Sequence, residues 1–377
     1  MRIQSYSNFW QRIHRIAGEK HFPLRVMFEL TYRCNFRCKH CYVPETYKKK
    51  FKKELKTKEI FSILGQLADI GCFYLGFTGG EPFLREDIFD ILWYAKKKGF
   101  QLIIYTNGSL IDENKVQELK RLSPNKVDIA IPGLSKTAFE CVSRVAGSRD
   151  KVFRAIDLLY RNGIKLGFKT CVLKENESAI KDIQDFAHSL GALHRLDDKL
   201  SPRLNGNKEP YRYRGRLREE SIVRRKAQGT RHKADVLRQS GDFAVCNINT
   251  ETRNPKPDTL FKCGVGLSQA AITPFGELKM CLMIDYPKYK ILNKYIAHRT
   301  SHIVHPKDGL KYAWERLKEL VASIKPDKNY QCDKCQLRDY CKWCPGEAWL
   351  YNRSFTSCEP ESKNWAMQRK LDYEDRG

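Results

Sequence analysis

Short apolar segments alternate with amphipathic helical patterns from Leu24 to about Leu196, and this alternation restricts the fold more than any other feature. Six strand-like segments span residues 24–30, 72–77, 101–105, 126–131, 164–172 and 192–196. Helical patterns separate them over residues 57–70, 87–98, 113–122, 151–161 and 178–190. Strands that alternate with helices form parallel sheets. The sequence therefore predicts the α/β class, as a partial (β/α)6 TIM-like barrel whose working face is the carboxyl ends of the strands.

Three cysteines directly follow the first strand. Cys34, Cys38 and Cys41 have the spacing C-x3-C-x2-C. Thiolates on one short loop can bind three corners of a [4Fe-4S] cluster, which leaves the fourth iron open to a small molecule. A zinc site completed by His40 and a set of core thiols are the alternatives.

Polar or small residues also follow the second and third strands. Gly79, Gly80 and Glu81 end the second strand, and Asn107 follows the third. Adjacent glycines let the backbone approach a ligand closely, and Glu81 supplies a carboxylate. The alternative is that Gly79, Gly80 and Glu81 form an ordinary turn that binds no ligand.

A second set of cysteines lies in the C-terminal part of the chain. Four of its members form two C-x2-C pairs, a spacing that favours metal binding over core packing, with zinc as the alternative to iron–sulfur clusters. The set consists of Cys263, Cys281, Cys332, Cys335, Cys341, Cys344 and Cys358. By contrast, Cys72, Cys141 and Cys171 are predicted to be core thiols.

The first cysteine motif, with Tyr42 after it and the Gly-Gly-Glu segment downstream, resembles the signature of the radical S-adenosylmethionine (SAM) enzymes. The resemblance implies that the amino and carboxylate groups of SAM chelate the open iron. It also implies that Gly79, Gly80 and Glu81 hold the SAM amino group and that Tyr42 lies against the adenine. Asn107 is a further candidate contact for SAM.

The fourth strand departs from the family pattern. Relatives carry a serine and an aspartate at its end, whereas residues 128–135 read DIAIPGLS, which puts that polar contact in doubt. Arg144 occupies the place of an arginine that helps to bind the SAM carboxylate in relatives. An ordinary surface arginine is the alternative.

The second set of cysteines resembles the SPASM domain, the auxiliary-cluster extension of enzymes that mature anaerobic sulfatases or modify precursor peptides. Relatives have three residues between the last two cysteines of the four-cysteine run, and this chain has two. The resemblance implies two auxiliary [4Fe-4S] clusters, and Cys246 or an open position would complete the inner one. The outer cluster would use Cys332, Cys335, Cys341 and Cys358, and the inner one Cys263, Cys281 and Cys344.

The resemblance implies reductive cleavage of SAM to a 5′-deoxyadenosyl radical that abstracts hydrogen from a substrate. A ribosomally made peptide or protein, crosslinked or oxidised, is the first expectation, with flavodoxin or ferredoxin as a low-potential electron donor. A non-peptide small molecule, RNA, and an iron–sulfur electron carrier without SAM chemistry are the alternatives. No catalytic side chain is assigned. Sulfatase maturation is less favoured, because Leu282 follows Cys281 where those relatives carry an aspartate, and the nearest acid is Asp285.

Charge and composition suggest the partners and the domain organisation. The formal net charge is +25, concentrated in residues 47–58 and 203–240, which suits an acidic peptide. Nucleic acid is a weaker prediction because no RNA-binding motif accompanies the charge. No apolar run is long enough for a membrane span and no signal peptide is present, so a cytoplasmic protein is expected. The predicted organisation is an extension (1–23), a barrel (24–202), a basic linker or cap (203–245) and an auxiliary-cluster domain (246–377).

Overall fold

The computed structural model describes residues 6–50, 53–216, 260–261, 263–292, 309–328 and 330–374. The strands are β1 (Arg25–Thr31), β2 (Tyr74–Gly79), β3 (Gln101–Thr106), β4 (Lys126–Ala130), β5 (Leu166–Cys171), β6 (Leu193–Asp197), β7 (Gln269–Ile272), β8 (Glu277–Lys279) and β9 (Lys288–Lys290). The helices are α1 (Tyr6–Lys20), α2 (Glu45–Lys48), α3 (Thr57–Asp69), α4 (Ile88–Lys97), α5 (Glu113–Leu122), α6 (Lys136–Ser143), α7 (Ser148–Arg161), α8 (Ile180–Ser189), α9 (Leu310–Ser323), α10 (Pro345–Asn352) and α11 (Pro360–Glu374). Within these ranges, none of the helices combines the length and the apolar composition that crossing a bilayer requires.

Six parallel strands form the barrel part of the sheet. They pair in chain order from β1 to β6, with helices in every connection. The prediction of a partial (β/α)6 barrel is confirmed. The carboxyl ends of these strands meet at one edge, which is where parallel α/β barrels carry their sites.

Successive side chains of each strand point to opposite faces of the sheet. Phe28 and Phe77 lie on the outer face and pack against the helices, among them the buried stripe of α3 formed by Ile60, Ile63 and Leu64. The inner face is a second apolar cluster. Its members include Met27, Tyr74, Ile103 and Ala17 of α1.

Two features were not foreseen from the pattern. Helix α6 is only eight residues long, and its N-cap is Ser135, whose hydroxyl accepts from the N–H of Ala138 (3.2 Å). The sheet also continues beyond the barrel, because β7 pairs in parallel with β1, and β8 and β9 follow antiparallel. Strands of three or four residues carry too little periodicity to be recognised. The C-terminal cysteine region therefore shares a sheet with the barrel.

Candidate active site

The cysteine loop, residues 34–41, begins three residues after β1 ends and is held by backbone hydrogen bonds. The N–H of Arg37 donates to the carbonyl of Ser143 (3.0 Å), and the N–H of Lys39 donates to that of Val142 (3.1 Å). Both carbonyls lie in the last turn of α6, where a helix leaves its carbonyls without partners of its own. The helix that sequence reasoning missed thus fixes the cysteine loop in place.

The three thiols of this loop are partly buried at the rim of the core. Burial raises the pKa of the Cys34 thiol to about 11, and burial also raises the pKa values of Cys38 and Cys41. Such thiols stay protonated at neutral pH unless a metal stabilises the thiolate. The Sγ of Cys34 accepts from the N–H of Phe36 (3.4 Å), a contact of the kind that tunes cluster sulfurs. This donor set fits an iron–sulfur cluster.

A zinc site would need three or four ligands around a single ion. Among the residues that the structure describes, no three His, Cys, Asp or Glu side chains are grouped as a single metal ion requires. A cubane cluster makes a different demand, because each thiolate binds its own iron.

Gly79 and Gly80 lie where two chain segments almost touch. A Cβ atom at Gly79 would stand 2.1 Å from the carbonyl oxygen of Thr31, and one at Gly80 would stand 2.1 Å from that of Arg33. The N–H of Gly80 donates to the Thr31 carbonyl (2.7 Å), and the N–H of Glu81 donates to that of Arg33 (2.8 Å). Both positions therefore require glycine so that the end of β2 can contact residues 31–33, which form the stem of the cysteine loop.

The Glu81 carboxylate is fully buried and occupied by protein donors. One oxygen accepts from the hydroxyl of Thr106 (2.8 Å) and the N–H of Phe83 (3.1 Å), and the other accepts from the N–H of Asn107 (2.7 Å). Burial raises the pKa of this carboxyl to about 7, although the hydrogen bonds act in the other direction. The side chain therefore joins the ends of β2 and β3.

Glu81→Gln should change how stability depends on pH. Because the folded carboxyl titrates near pH 7 and the unfolded one near 4.5, the folded state keeps a proton that the unfolded state releases. Wild-type stability should therefore fall as pH rises between those values, and the variant should lack this component. Urea unfolding between pH 4.5 and 7.5 measures it. Glu86→Gln, at an exposed neighbour, should keep the wild-type slope; an identical slope in Glu81→Gln would refute the prediction.

Asn107 lies beside the first cysteine. Its amide Nδ2 donates to Oδ1 of Asn35 (2.8 Å) and stands 3.9 Å from the Sγ of Cys34. Its Oδ1 accepts from the N–H of Ser109 (2.9 Å). The side chain of this predicted residue thus contacts the cysteine loop, whereas its backbone N–H donates to Glu81.

A buried carboxylate connects Tyr42 to the second set of cysteines. Glu29 of β1 accepts from the hydroxyls of Tyr42 (2.9 Å) and Tyr32 (3.0 Å) and pairs with the Nζ of Lys279 (2.8 Å). The side chains of Glu29 and Lys279 are both 0% exposed. Lys279 also donates to the carbonyl of Leu282 (3.3 Å). This polar hub, Glu29 with its three partners, joins the residue after Cys41 to the residue after Cys281.

A second link runs parallel to the polar hub. The hydroxyl of Tyr47 donates to a carboxylate oxygen of Asp285, the acid that the sequence places nearest to Cys281. Lys288 also contacts this carboxylate (3.2 Å). Asp285 is therefore held by two partners at the junction of the two cysteine regions.

Arg144 caps the end of α6 in a left-handed conformation, with φ of 57°. Its guanidinium donates to the hydroxyl of Tyr213 (2.9 Å) and lies 3.8 Å from Glu209. The side chain is 42% exposed. In this structure the predicted SAM-carboxylate ligand is directed towards the segment that follows the barrel.

The second set of cysteines divides into two neighbourhoods. Burial, then the nearby thiols of Cys344 and Cys263, raises the pKa of Cys281. Burial, Glu359 and the thiols of Cys341 and Cys335 raise the pKa of Cys358.

A short turn joins Cys332 to Cys335. In this turn the N–H of Cys335 donates to the carbonyl of Cys332 (3.4 Å). Cys246, the candidate fourth ligand of the inner cluster, lies outside the described residues. The assignment of these thiols to two clusters stays a prediction.

Residues 198–216 bridge the barrel and the C-terminal region. The N–H of Leu204 donates to the carbonyl of Tyr42 (2.9 Å). Lys199 is buried between carboxylates of α10 and the start of α11, with Glu359 at 3.4 Å and the hydroxyl of Ser362 at 2.7 Å. Leu204, in the described part of the predicted linker (203–216), is therefore bonded to the residue that follows Cys41. The rest of the basic segment, from residue 217, is outside the described residues.

The barrel segment matches a known protein family. The model of the Radical SAM superfamily matches residues 28–187. This segment is a radical SAM domain. The family implies a [4Fe-4S] cluster and SAM as its cofactors, and the predicted resemblance is confirmed.

Curated relatives match the chain to different extents. The Fe-coproporphyrin III synthase of Methanosarcina barkeri is 32% identical over 42% of this chain and 40% of that protein. This chain spans less than half of the length of each of the first three curated relatives. The subtilosin biosynthesis protein AlbA of Bacillus subtilis is 24% identical over 94% of this chain and 74% of that protein.

Solved structures extend the likeness of fold to the C-terminal region. Streptococcus suis SuiB bound to S-adenosylmethionine superposes with a TM-score of 0.64, at 17% identity, over 96% of this chain and 84% of that one. The C-terminal cysteine region is included in this coverage.

Several polar residues at the site were missed by sequence reasoning. Glu29 lies inside the apolar strand RVMFELT, and Lys279 ends the three-residue strand β8. A charged residue inside an apolar strand is expected to be paired when buried, and this was the available signal. Their pairing across 250 residues could not be deduced from the pattern.

Proposed function

We propose that the chain modifies a peptide or protein through radical SAM chemistry, forming a crosslink or oxidising a side chain. The observation that carries the proposal is the cysteine loop, whose three thiols are partly buried and whose preceding residues, Thr31 and Arg33, contact Gly79 and Gly80 at the carboxyl edge of the sheet. The likeness of fold along nearly the whole chain to SuiB supports it.

In this proposal Cys34, Cys38 and Cys41 hold the SAM-binding cluster. The bound cluster and SAM supply, after one-electron reduction, a 5′-deoxyadenosyl radical. The backbone of Gly79 and Gly80 accepts the SAM amino group. Glu81 acts through its neighbours as a positioning residue, because its carboxylate is occupied by Thr106, Phe83 and Asn107.

Three further side chains orient SAM. Tyr42, held by Glu29, presents its ring to the adenine. Arg144, which is 42% exposed, would turn from Tyr213 and Glu209 to bind the carboxylate of SAM. Asn107 fixes the cysteine loop through Asn35 and donates towards the sulfur of Cys34.

We infer two auxiliary clusters in the C-terminal region, which would belong to a SPASM-like domain. The neighbourhoods of Cys281 and Cys358 support two separate sites. The inner site uses Cys263, Cys281 and Cys344, and the outer site uses Cys332, Cys335, Cys341 and Cys358. A low-potential flavodoxin or ferredoxin would supply electrons. The domain boundaries at residues 202 and 245 belong to the same proposal.

The second candidate is a porphyrin or another small-molecule substrate. The 32% identity to the Fe-coproporphyrin III synthase over 160 residues favours it. The chain is also 28% identical over 170 residues to the PqqA peptide cyclase of Gluconobacter oxydans, so sequence identity does not decide between the two.

The reconstituted full chain, incubated anaerobically with SAM, dithionite and candidate precursor peptides, tests the peptide proposal. We expect a peptide product that has lost two hydrogen atoms, detected by mass spectrometry, together with deoxyadenosine. The Cys38→Ala protein should leave the peptide unchanged, and Cys72→Ala, at a buried thiol away from the loop, should react as wild type does. Conversion of a porphyrin with no change in any peptide would contradict the proposal.

A further inference from the structure

Lys199 is a buried cation that follows the last barrel strand. It lies two residues beyond the end of β6, and its side chain is only 10% exposed. A lysine is rarely buried to this degree unless its charge is paired, because removing an ammonium group from water is costly. The partners of Lys199 therefore show what the buried charge stabilises.

The first partners of Lys199 lie in the segment that carries Cys341 and Cys344. Its Nζ donates to the carbonyl of Lys342 (2.8 Å), which stands between these two cysteines. The same Nζ pairs with a carboxylate oxygen of Glu347, three residues after Cys344. Lys199 thus contacts this segment on both sides of Cys344.

The second set of partners lies directly after Cys358. The Nζ of Lys199 stands 3.4 Å from Oε1 of Glu359 and donates to the hydroxyl of Ser362 (2.7 Å). The carbonyl oxygen of Ser362 in turn stands 3.8 Å from the Sγ of Cys341. One ammonium group therefore connects the segments that carry Cys341 and Cys358, two thiols of the proposed outer cluster.

Two buried carboxylates face this one cation. The side chains of Glu347 and Glu359 are 10% and 0% exposed. Charged neighbours form their own pairs, Lys342 with Asp198 at 2.9 Å and Arg214 with Glu361 at 2.8 Å. Removal of the Lys199 charge would leave the two carboxylates facing each other in a buried place, which is strongly unfavourable.

The thiols of these two segments fit an iron–sulfur cluster. Those of Cys341, Cys344 and Cys358 are partly buried. The indole N–H of Trp343, the residue before Cys344, donates to the carbonyl of Ser357, the residue before Cys358 (2.9 Å). Partly buried thiols on neighbouring loops are the kind of donor set that a [4Fe-4S] cluster uses.

We propose that Lys199 is a positioning residue of the outer auxiliary site, where it holds the Cys341 and Cys358 segments together and stabilises negative charge on the cluster. The inference rests on the auxiliary clusters of the proposed function. A [4Fe-4S] cluster with four thiolates is an anion that becomes more negative on reduction. A neighbouring cation therefore raises its reduction potential.

Iron retention by the reconstituted full chain tests the positioning role. Wild-type protein should hold about twelve irons, in three clusters of four. In the presence of a mild chelator, Lys199→Met should lose about four irons per chain while wild type loses none, because the outer ligand segments separate. Lys208→Met, at an exposed lysine of the same bridging segment, is the control and should retain iron as wild type does.

The reduction potential separates an effect of charge from a loss of structure. It is measured without chelator, by electron paramagnetic resonance during a redox titration of the full-length Cys38→Ala protein, which reports the auxiliary clusters alone. In this background Lys199→Met should shift one midpoint potential to a more negative value, and Glu347→Gln should shift the same potential to a more positive value. A loss of structure would not move the two variants in opposite directions. If Lys199→Met does not retain the outer cluster, Glu347→Gln decides.

Three results would overturn the proposal. The first is a Lys199→Met protein that loses iron no faster than Lys208→Met. The second is an unchanged potential in Glu347→Gln, or shifts of the same sign in Glu347→Gln and Lys199→Met. The third is a wild-type protein with only about four irons, which would remove the auxiliary clusters as well. Because neither measurement requires SAM cleavage or a peptide, failure here is separable from failure of the radical chemistry.

Discussion

Lys279→Met should destabilise the protein by about 3–5 kcal/mol, because it leaves the Glu29 carboxylate buried without its cation. Both side chains are fully buried, and the two tyrosine hydroxyls that remain cannot replace a charge. Urea unfolding of the anaerobic protein measures the change.

The control is Lys318→Met, which removes an exposed pair with Glu315 (2.8 Å) and should cost less than about 1 kcal/mol. The double variant Glu29→Gln with Lys279→Met should recover part of the loss. Equal effects of Lys279→Met and Lys318→Met would contradict the account of the polar hub. Because the hub joins Tyr42 to Leu282, we also expect Lys279→Met to weaken iron binding at the cysteine loop and at the proposed inner auxiliary site, measured as iron per chain.

Gly80→Ala should destabilise the protein by about 3 kcal/mol or more and should abolish SAM cleavage. A Cβ atom there would stand 2.1 Å from the carbonyl oxygen of Arg33. Backbone must move to accept it, and overpacking of this kind is costly. The displaced segment is the stem of the cysteine loop. Unfolding and deoxyadenosine formation measure the two effects.

Gly65→Ala is the matched control for that substitution. Gly65 lies inside α3, and the nearest atom to an added Cβ would be the hydroxyl oxygen of Tyr94 at 3.9 Å. We expect a gain of about 0.5–1 kcal/mol, since alanine is preferred to glycine inside a helix. A Gly80→Ala protein as active and as stable as Gly65→Ala would show that the close approach of the two segments is unimportant.

The barrel could be predicted from the sequence because its strands and helices are long enough to show their periods. The buried stripe of α3 and the apolar strand β1 are examples. The cysteine loop could also be placed, since loops after parallel strands share one edge of the sheet.

The contacts that organise the site could not be predicted, because they join residues distant in the chain. The pairing of Glu29 with Lys279 and the support of the cysteine loop by α6 depend on tertiary packing. The family resemblance implies that the carboxylate of Glu81 binds SAM, and the structure shows three protein donors on that carboxylate, which the sequence pattern did not indicate. A motif identifies a residue but does not show which of its atoms face the ligand.

The central claim, that Cys34, Cys38 and Cys41 support reductive cleavage of SAM, has a direct test. Anaerobically reconstituted protein is reduced with dithionite, mixed with SAM and assayed for 5′-deoxyadenosine by chromatography, beside the Cys38→Ala and Cys72→Ala proteins. The account predicts deoxyadenosine from wild type and Cys72→Ala and none from Cys38→Ala, which should also lose about four irons per chain. No deoxyadenosine from wild-type protein that retains its full iron content would contradict the account and favour an electron carrier.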